Sequence, residues 1–349
     1  MRQIRLTISV GDPKWDYWRQ ISDRGTSAAL DDFRNFQDEG SEHRFRCDVN
    51  EYTYKKSRPL LIPAFNGHCA YCESDYRPVM AQPEVEHFRP KGAIKTYAYK
   101  EKAAMAALGG NPFSDWLSRF EDIATEDHTG YFWLAYRIEN LLLACNACNK
   151  KKQHLFPVVG TRRLQCSECL DPLVHGPLVE VPMLVNPYVD DPNQHFAFDN
   201  VNGFVRPLSV RGAISIDVYD LNRDGLKEAR KAAIRHAKLE FNAWYNAFAR
   251  GDDAEAIDHQ EILDKYEAGE YPYSTAALTH IGLRQELHSA RGIPFGRKRG
   301  IWPSQLVLTI PPSMDPNLAA AAQKRTASSQ SEDVKTAPSP QPVRRGVRR

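Results

Sequence analysis

Six of the seven cysteines of this 349-residue chain stand in CxxC pairs: Cys69 with Cys72, Cys145 with Cys148, and Cys166 with Cys169; Cys47 stands alone. Thiolates at this spacing can grip one zinc ion while the backbone turns between them, and two such pairs complete a tetrahedron. We expect Cys69, Cys72, Cys145 and Cys148 to share a structural zinc, against the plainer reading of two unrelated pairs of buried thiols. The chain carries no apolar run of signal-peptide length near Met1–Val10, which favours metal over disulfides and makes the cytoplasm the default expectation. Four cysteines leave zinc no open coordination position, so a zinc-dependent hydrolase is disfavoured. Cys166 and Cys169 either bind a second metal with help from His175 or Cys47, or stand in a loop.

Between the first two pairs runs Glu84-Val85-Glu86-His87-Phe88-Arg89-Pro90-Lys91, with an acid directly before a histidine. A lone Glu-His step is weak evidence, since most histidines are only hydrogen-bonded polar residues. It is strengthened by Asn140-Leu-Leu-Leu-Ala-Cys145-Asn-Ala-Cys148-Asn149-Lys-Lys-Lys152. There an asparagine, a short apolar run, a CxxC and a second asparagine follow in order.

These residues need elements to hold them. Trp15, Trp18, Ile21, Leu30 and Phe33 recur at helical intervals and predict a helix over about 14–36; a second is predicted over 51–65. Asn66-Gly67 then turns the chain into the first CxxC. Residues 92–130 read as an inserted helix and loop, broken at Gly109-Gly110-Asn111-Pro112, and its length costs little extra closure entropy. Residues 131–138 read as helical, Leu141-Leu142-Leu143 as a buried strand, and Asn146 as the cap of a helix carrying Cys148, Asn149 and Lys152. Further on, 196–199 and 204–207 flank a hairpin turn at Asn200-Val201-Asn202-Gly203. Residues 214–219 form a strand or short helix. A long helix over 222–250 shows Leu226, Ala229, Ala233, Ala237, Phe241 and Trp244 on one side, and two more helices are expected near 254–268 and 274–289. After about Pro311 the chain turns to Ala, Ser, Pro, Gln and charge, a disordered basic tail by composition. The expected divisions are 1–66 helical, 67–160 holding the site, 161–310 mostly helical with a hairpin, and 311–349 tail. Trp15, Trp18, Trp133 and Trp244 read as core, and His154 as a packing or surface residue.

The stretch 67–157 resembles the HNH, or ββα-metal, nuclease family in its zinc-stapled form. The resemblance implies an α+β fold, a small ββα core with the four-cysteine zinc site inside a mostly α-helical protein. It implies His87 as the general base, Glu86 as ligand of a catalytic Mg²⁺ or Mn²⁺, Asn140 as the tie for the loop between the strands, and Asn149 as a second ligand where many members have a histidine. A neutral imidazole with a pKa near about 6.5 suits that base, and oxygen donors suit Mg²⁺ or Mn²⁺ as thiolates suit zinc. Arg89, Lys91 and Lys152 would meet phosphate oxygens, or else form a solvated surface. More narrowly, His68-Cys-Ala-Tyr-Cys-Glu73, Val85–Lys91, Trp133-Leu-Ala-Tyr136, Asn140-Leu-Leu-Leu, Asn186-Pro-Tyr-Val-Asp-Asp-Pro192, Arg211-Gly and Asp220-Leu-Asn-Arg223 are similar to the HNH component of Septu-type and retron-linked anti-phage defence systems. That similarity implies a partner ATPase and a nucleic-acid substrate, DNA or RNA.

Composition sets the outer bounds. Hydrophobic residues at 42% and charged residues at 26% fit a soluble protein, and no apolar run is long enough to span a membrane. Net charge is only +2, so any grip on phosphate must come from local patches such as Lys150–Lys152, Arg297–Arg299 and the terminal arginines. The competing readings are a non-catalytic zinc module that binds nucleic acid, which would not need Glu86, His87 or Asn149, and a zinc-stabilised regulatory subunit.

Overall fold

A helix starts where a side chain can satisfy the first free amides, and the N-terminal half of the chain supplies two such starts. Asp12 accepts from the Lys14 amide and Pro13 opens the helix Pro13–Asp38 (α1). Asn50 accepts from the Thr53 amide and opens Glu51–Phe65 (α2), which ends at Asn66 in a left-handed conformation. The computed structural model describes residues 1–6, 11–39, 45–78, 82–100, 110–120, 122, 128–160, 162 and 180–289. All of them fall within one unit, Met1–Pro294. Cys166, Cys169, His175, Arg297–Arg299 and the tail lie outside the described residues.

The remaining elements follow in order. Glu84–His87 (β1) pairs antiparallel with Leu141–Ala144 (β2), Glu84 opposite Ala144 and His87 opposite Leu141. Between them lie the helical turn Ser114–Leu117 (α3) and two 3₁₀ turns, Phe132–Leu134 and Ile138–Asn140, where the sequence pattern predicts a single helix. Directly after β2 comes Asn146–Lys152 (α4). Val158–Gly160 (β3) pairs with Glu180–Pro182 (β4), and Phe196–Phe198 (β5) with Val205–Pro207 (β6) around the expected hairpin turn. Val210–Val218 (α5), Leu226–Arg250 (α6), Asp253–Glu267 (α7) and Ser274–Ser289 (α8) complete the order, with α6 packed on α7 and α8. Among the described residues no helix is long and apolar enough to cross a membrane.

Burial explains why the β1–β2 pair sits where it does. Leu141, Leu142, Leu143 and Ala144 are wholly buried, so β2 has no solvent face and is covered on both sides. On one side α2 packs against it. The aromatic cluster Phe33, Phe45, Phe132 and Trp133 anchors α1 to the first 3₁₀ turn, with the Phe33 and Phe132 rings 4.6 Å apart. Gly130 brings that turn close to the loop after β1. Its φ is +82°, and a Cβ there would lie 2.1 Å from the Gly92 carbonyl oxygen. Along α6 the buried stripe runs through Leu226, Arg230, Ile234, Ala237, Phe241 and Trp244. The larger Arg230 and Ile234 take the places the pattern gave to Ala229 and Ala233. Trp18, Trp133 and Trp244 are core, as expected, and Trp15 is packed at its edge.

One buried group ties stability to pH. His195 lies between the 3₁₀ turn Pro192–Gln194 and β5, with Nδ1 2.6 Å from Ser209 Oγ. Burial, helped by the nearby Arg211 charge, lowers its pKa from 6.5 to about 4. The unfolded chain therefore binds a proton that the folded chain refuses, and stability is lost as pH falls from about 6.5 towards 4. We expect the melting temperature to fall over that interval, and His195→Gln to flatten that part of the curve relative to wild type. Parallel curves for the two proteins in thermal melts would remove His195 from the acid response.

Candidate metal centre and the strand–helix site

The two CxxC pairs meet. Cys69 and Cys72 lie in the turn after α2, Cys145 directly precedes α4, and Cys148 is in its first turn. All four are buried, and their sulfurs lie within 4.8 Å of one another. Cys72 Sγ and Cys145 Sγ are 3.8 Å apart. A tetrahedron of sulfurs about 2.3 Å from a central zinc has edges of about 3.8 Å, so the quartet fits the ion in distance and in donor type. Four buried cysteines this close can bind a metal such as zinc.

A residue that the spacing of the cysteines does not reveal faces this cluster. Arg223, in the turn between α5 and α6, places Nη1 3.5 Å from Cys148 Sγ and Nη2 3.5 Å from Cys72 Sγ and 3.8 Å from Cys145 Sγ. Burial opposes the Arg223 charge, but the Cys148 and Cys72 sulfurs overcome it and hold the guanidinium above its ordinary pKa. The same turn packs on the knuckle, where Tyr219 stacks on Tyr71 at 3.9 Å. Ser74 Oγ lies 3.1 Å from Cys72 Sγ and 3.0 Å from the Tyr273 hydroxyl, which joins the start of α8 to the same cluster.

Beside the cysteines, β1 and α4 set two regular patterns against each other. Alternation along a strand puts Glu84 and Glu86 on one face, and a step of three along a helix puts Asn146, Asn149 and Lys152 on another. The two faces meet. Glu84 accepts from the Asn146 amide at 2.9 Å and from the Asn149 amide, while Glu86 Oε1 accepts from Lys152 Nζ at 2.6 Å. Asn146 therefore spends its side chain on Glu84 and does not cap α4, which starts without a side-chain cap. Burial pushes the Glu86 carboxyl above its ordinary pKa, and the Lys152 ammonium works against that.

His87 ends β1. Its Nε2 lies 3.0 Å from the Ala135 carbonyl oxygen. A carbonyl only accepts, so Nε2 carries the proton and Nδ1 keeps a lone pair. Burial lowers the ring's pKa to about 3, which keeps it neutral at physiological pH. Asn140 is wholly buried: its Oδ1 accepts from the Arg89 amide, and its Nδ2 donates to the Arg89 and Leu134 carbonyls. It thus pins the chain just beyond His87 to the 3₁₀ turn that carries the Ala135 carbonyl.

The cations turn inward. Arg89 is buried, paired with Glu180 and stacked between Tyr131 and Phe156 at 5.0 Å from each ring. Lys152 is wholly buried on Glu86 and on the His87 carbonyl, 2.8 Å away. Lys91 is half-buried and donates to the Cys47 carbonyl at 2.6 Å. His154 is exposed. The structure thus brings Glu86, His87, Asn140, Asn149 and Lys152 together around β1, while Arg89 belongs to a separate ion pair. Glu84 joins the site through the strand period that already contained Glu86.

Two measurements follow from the cluster. We expect about one zinc per chain by elemental analysis and a lower melting temperature on chelation or in Cys145→Ser. We also expect Arg223→Ala to weaken zinc retention against a chelator by about tenfold, with Arg223→Lys in between, as for other groups that support metal ligands from behind. Zinc release from Arg223→Ala at the wild-type rate would make that contact incidental.

No family model matches the chain, and no solved structure matches it. Among curated proteins it is similar to Septu protein PtuB of Bacillus mycoides (strain KBAB4), 31% identical over 192 residues, which are 54% of this chain and 54% of that protein. It is also similar to Septu protein PtuA of the same strain, 27% identical over 166 residues, 48% of this chain and 19% of that protein. The chain spans 54% of the length of the first relative and 19% of the second.

Proposed function

We propose that the chain is a divalent-cation-dependent endonuclease of the HNH type, hydrolysing phosphodiester bonds of DNA or RNA in anti-phage defence alongside a partner ATPase. The observation that carries this reading is the orientation of His87, whose Nε2 lies 3.0 Å from the Ala135 carbonyl oxygen, so that the lone pair sits on Nδ1. The order of two antiparallel strands and a helix bearing Glu86, His87 and Asn149 supports the same reading. Similarity to two Septu proteins supports the defence setting.

In this mechanism His87 Nδ1 takes the proton of the water whose oxygen attacks phosphorus. The neutral ring is in the form required, and the negative phosphate brought beside it favours the protonated form that results. Asn140 keeps His87 in place by fixing Arg89 and the turn behind it. The oxygen donors on the facing surfaces, Glu86 and Asn149, suit a hard cation, with Glu84 beside them. Asn149 would offer its carbonyl oxygen after turning its amide away from Glu84. Bound there, Mg²⁺ or Mn²⁺ would neutralise charge on the phosphate and the leaving oxygen. Lys91 is the cation of the expected trio with an accessible side chain and serves as the phosphate contact. One observation favours the alternative of a non-catalytic, zinc-stabilised nucleic-acid-binding or regulatory subunit: Lys152 already neutralises Glu86.

The test pairs wild type with His87→Ala on plasmid DNA and on total tRNA, with Mg²⁺ or Mn²⁺ or with EDTA, alone and with the partner ATPase. We expect cation-dependent cleavage that falls about a hundred- to ten-thousand-fold in the variant at unchanged zinc content. Equal cleavage by both proteins would remove His87 as the base. Binding without cleavage, with the partner present, would favour the non-catalytic alternative.

A further inference from the structure

Lysine is among the residues least often found fully buried, because an ammonium removed from water needs close anionic or carbonyl partners. Lys152 is wholly buried at the end of α4, and the structure gives its ammonium two oxygen acceptors, Glu86 Oε1 at 2.6 Å and the His87 carbonyl at 2.8 Å. A carboxylate oxygen and a backbone carbonyl are also donors that a hard divalent cation takes. The ammonium therefore occupies a cation position built from the reactive end of β1, between the carboxylate of Glu86 and the backbone of the residue proposed as base.

We propose that Lys152 is an internal stand-in for the divalent cation: the Lys152–Glu86 ion pair and a cation on Glu86 are mutually exclusive, so loading the site requires the lysine to leave. The inference rests on the reading of Glu86 as a cation ligand. Its physical basis is charge. With Lys152 in place Glu86 is compensated and buried, so its carboxylate is not isolated. A divalent cation arriving at Glu86 would meet the ammonium within 2.6 Å of the same oxygen, and the two positive charges repel strongly in a buried setting. The departing lysine has a short route, because α4 ends at Lys152 and the next residue, Gln153, is exposed. Bound to Glu86 the lysine raises the cation concentration at which the site fills. Released, its ammonium joins the surface beside the exposed Lys150 and Lys151, where a phosphate can reach it.

The test uses the full, zinc-loaded chain and Mn²⁺ as the probe. Binding is measured by calorimetry or electron paramagnetic resonance in wild type, Lys152→Met and Glu86→Gln. Lys152→Met keeps the length of the side chain and removes its charge. We expect it to bind Mn²⁺ at least about tenfold more tightly than wild type, and Glu86→Gln to lose the site. A folded Lys152→Met with normal zinc content and no gain in affinity would overturn the proposal. Since that variant leaves a buried carboxylate without its partner, wild type supplies a second readout. An amine-acylating reagent with mass spectrometry should leave Lys152 unlabelled without Mn²⁺ and label it once Mn²⁺ is added. Persistent protection at saturating Mn²⁺ would also overturn the proposal, while leaving Glu86 as a ligand. Mn²⁺ binding that survives in Glu86→Gln, or is absent from wild type, would instead remove the reading of Glu86 on which the proposal stands.

Discussion

The four-cysteine cluster is the constraint from which the rest of the structure hangs. Sulfurs held within 4.8 Å of one another bring together segments that the sequence keeps far apart: the turn after α2, the start of α4, the Arg223 turn before α6 and, through Ser74, the start of α8. Four thiolates around zinc leave a net negative charge, and a buried negative charge calls for a cation. Arg223 answers that need with contacts to three sulfurs. Because Cys145 and Cys148 begin α4, the same cluster sets the angle at which α4 crosses β1. It thereby decides which helix residues face Glu84 and Glu86.

The site is a meeting of two periodicities. A strand shows every second residue on one face and a short helix every third, so Glu84 and Glu86 confront Asn146, Asn149 and Lys152 without any further device. His87, one residue on, has its ring held by the Ala135 carbonyl. Acid and imidazole are thus adjacent in sequence yet rest on different supports, the acid on α4 and the imidazole on the 3₁₀ turn braced by Asn140 and Gly130.

Much of this was legible from residue type and spacing. The two CxxC pairs, the turn at Asn66-Gly67, the strand at Leu141–Leu143, the limits of α2 and the hairpin over 196–207 follow from local chemistry, which needs no knowledge of tertiary contacts. Glu84 was equally legible, since it shares the strand face of Glu86, but its role shows only once α4 is laid across it. Arg223 stands in the stretch Asp220-Leu-Asn-Arg223 that carries the resemblance, but its role was not legible, for nothing near it in sequence signals a sulfur 151 residues away. Nor was the Ala135 carbonyl, because a backbone group leaves no trace in residue type. Arg89 and Lys152 read as surface or phosphate-facing cations because most cations are, and their burial depends on partners, Glu180 and Glu86, that only the fold brings near. The 3₁₀ turns replaced a predicted helix because the aromatic residues from Tyr131 to Trp133 are spent on packing against α1 and Phe156.

The distance in sequence between the thiolates and Arg223 also sets a timetable. At about 5–20 residues per second, synthesis delivers Arg223 roughly 8–30 seconds after Cys72 and roughly 4–15 seconds after Cys148. During the second of these intervals a nascent chain holds all four cysteines without the arginine that faces them. A metal ion held by the four sulfurs at that stage would be at its most open to exchange with other metals and with thiols. Which metal such a cluster takes up would then depend partly on the ions present while the chain is still being made.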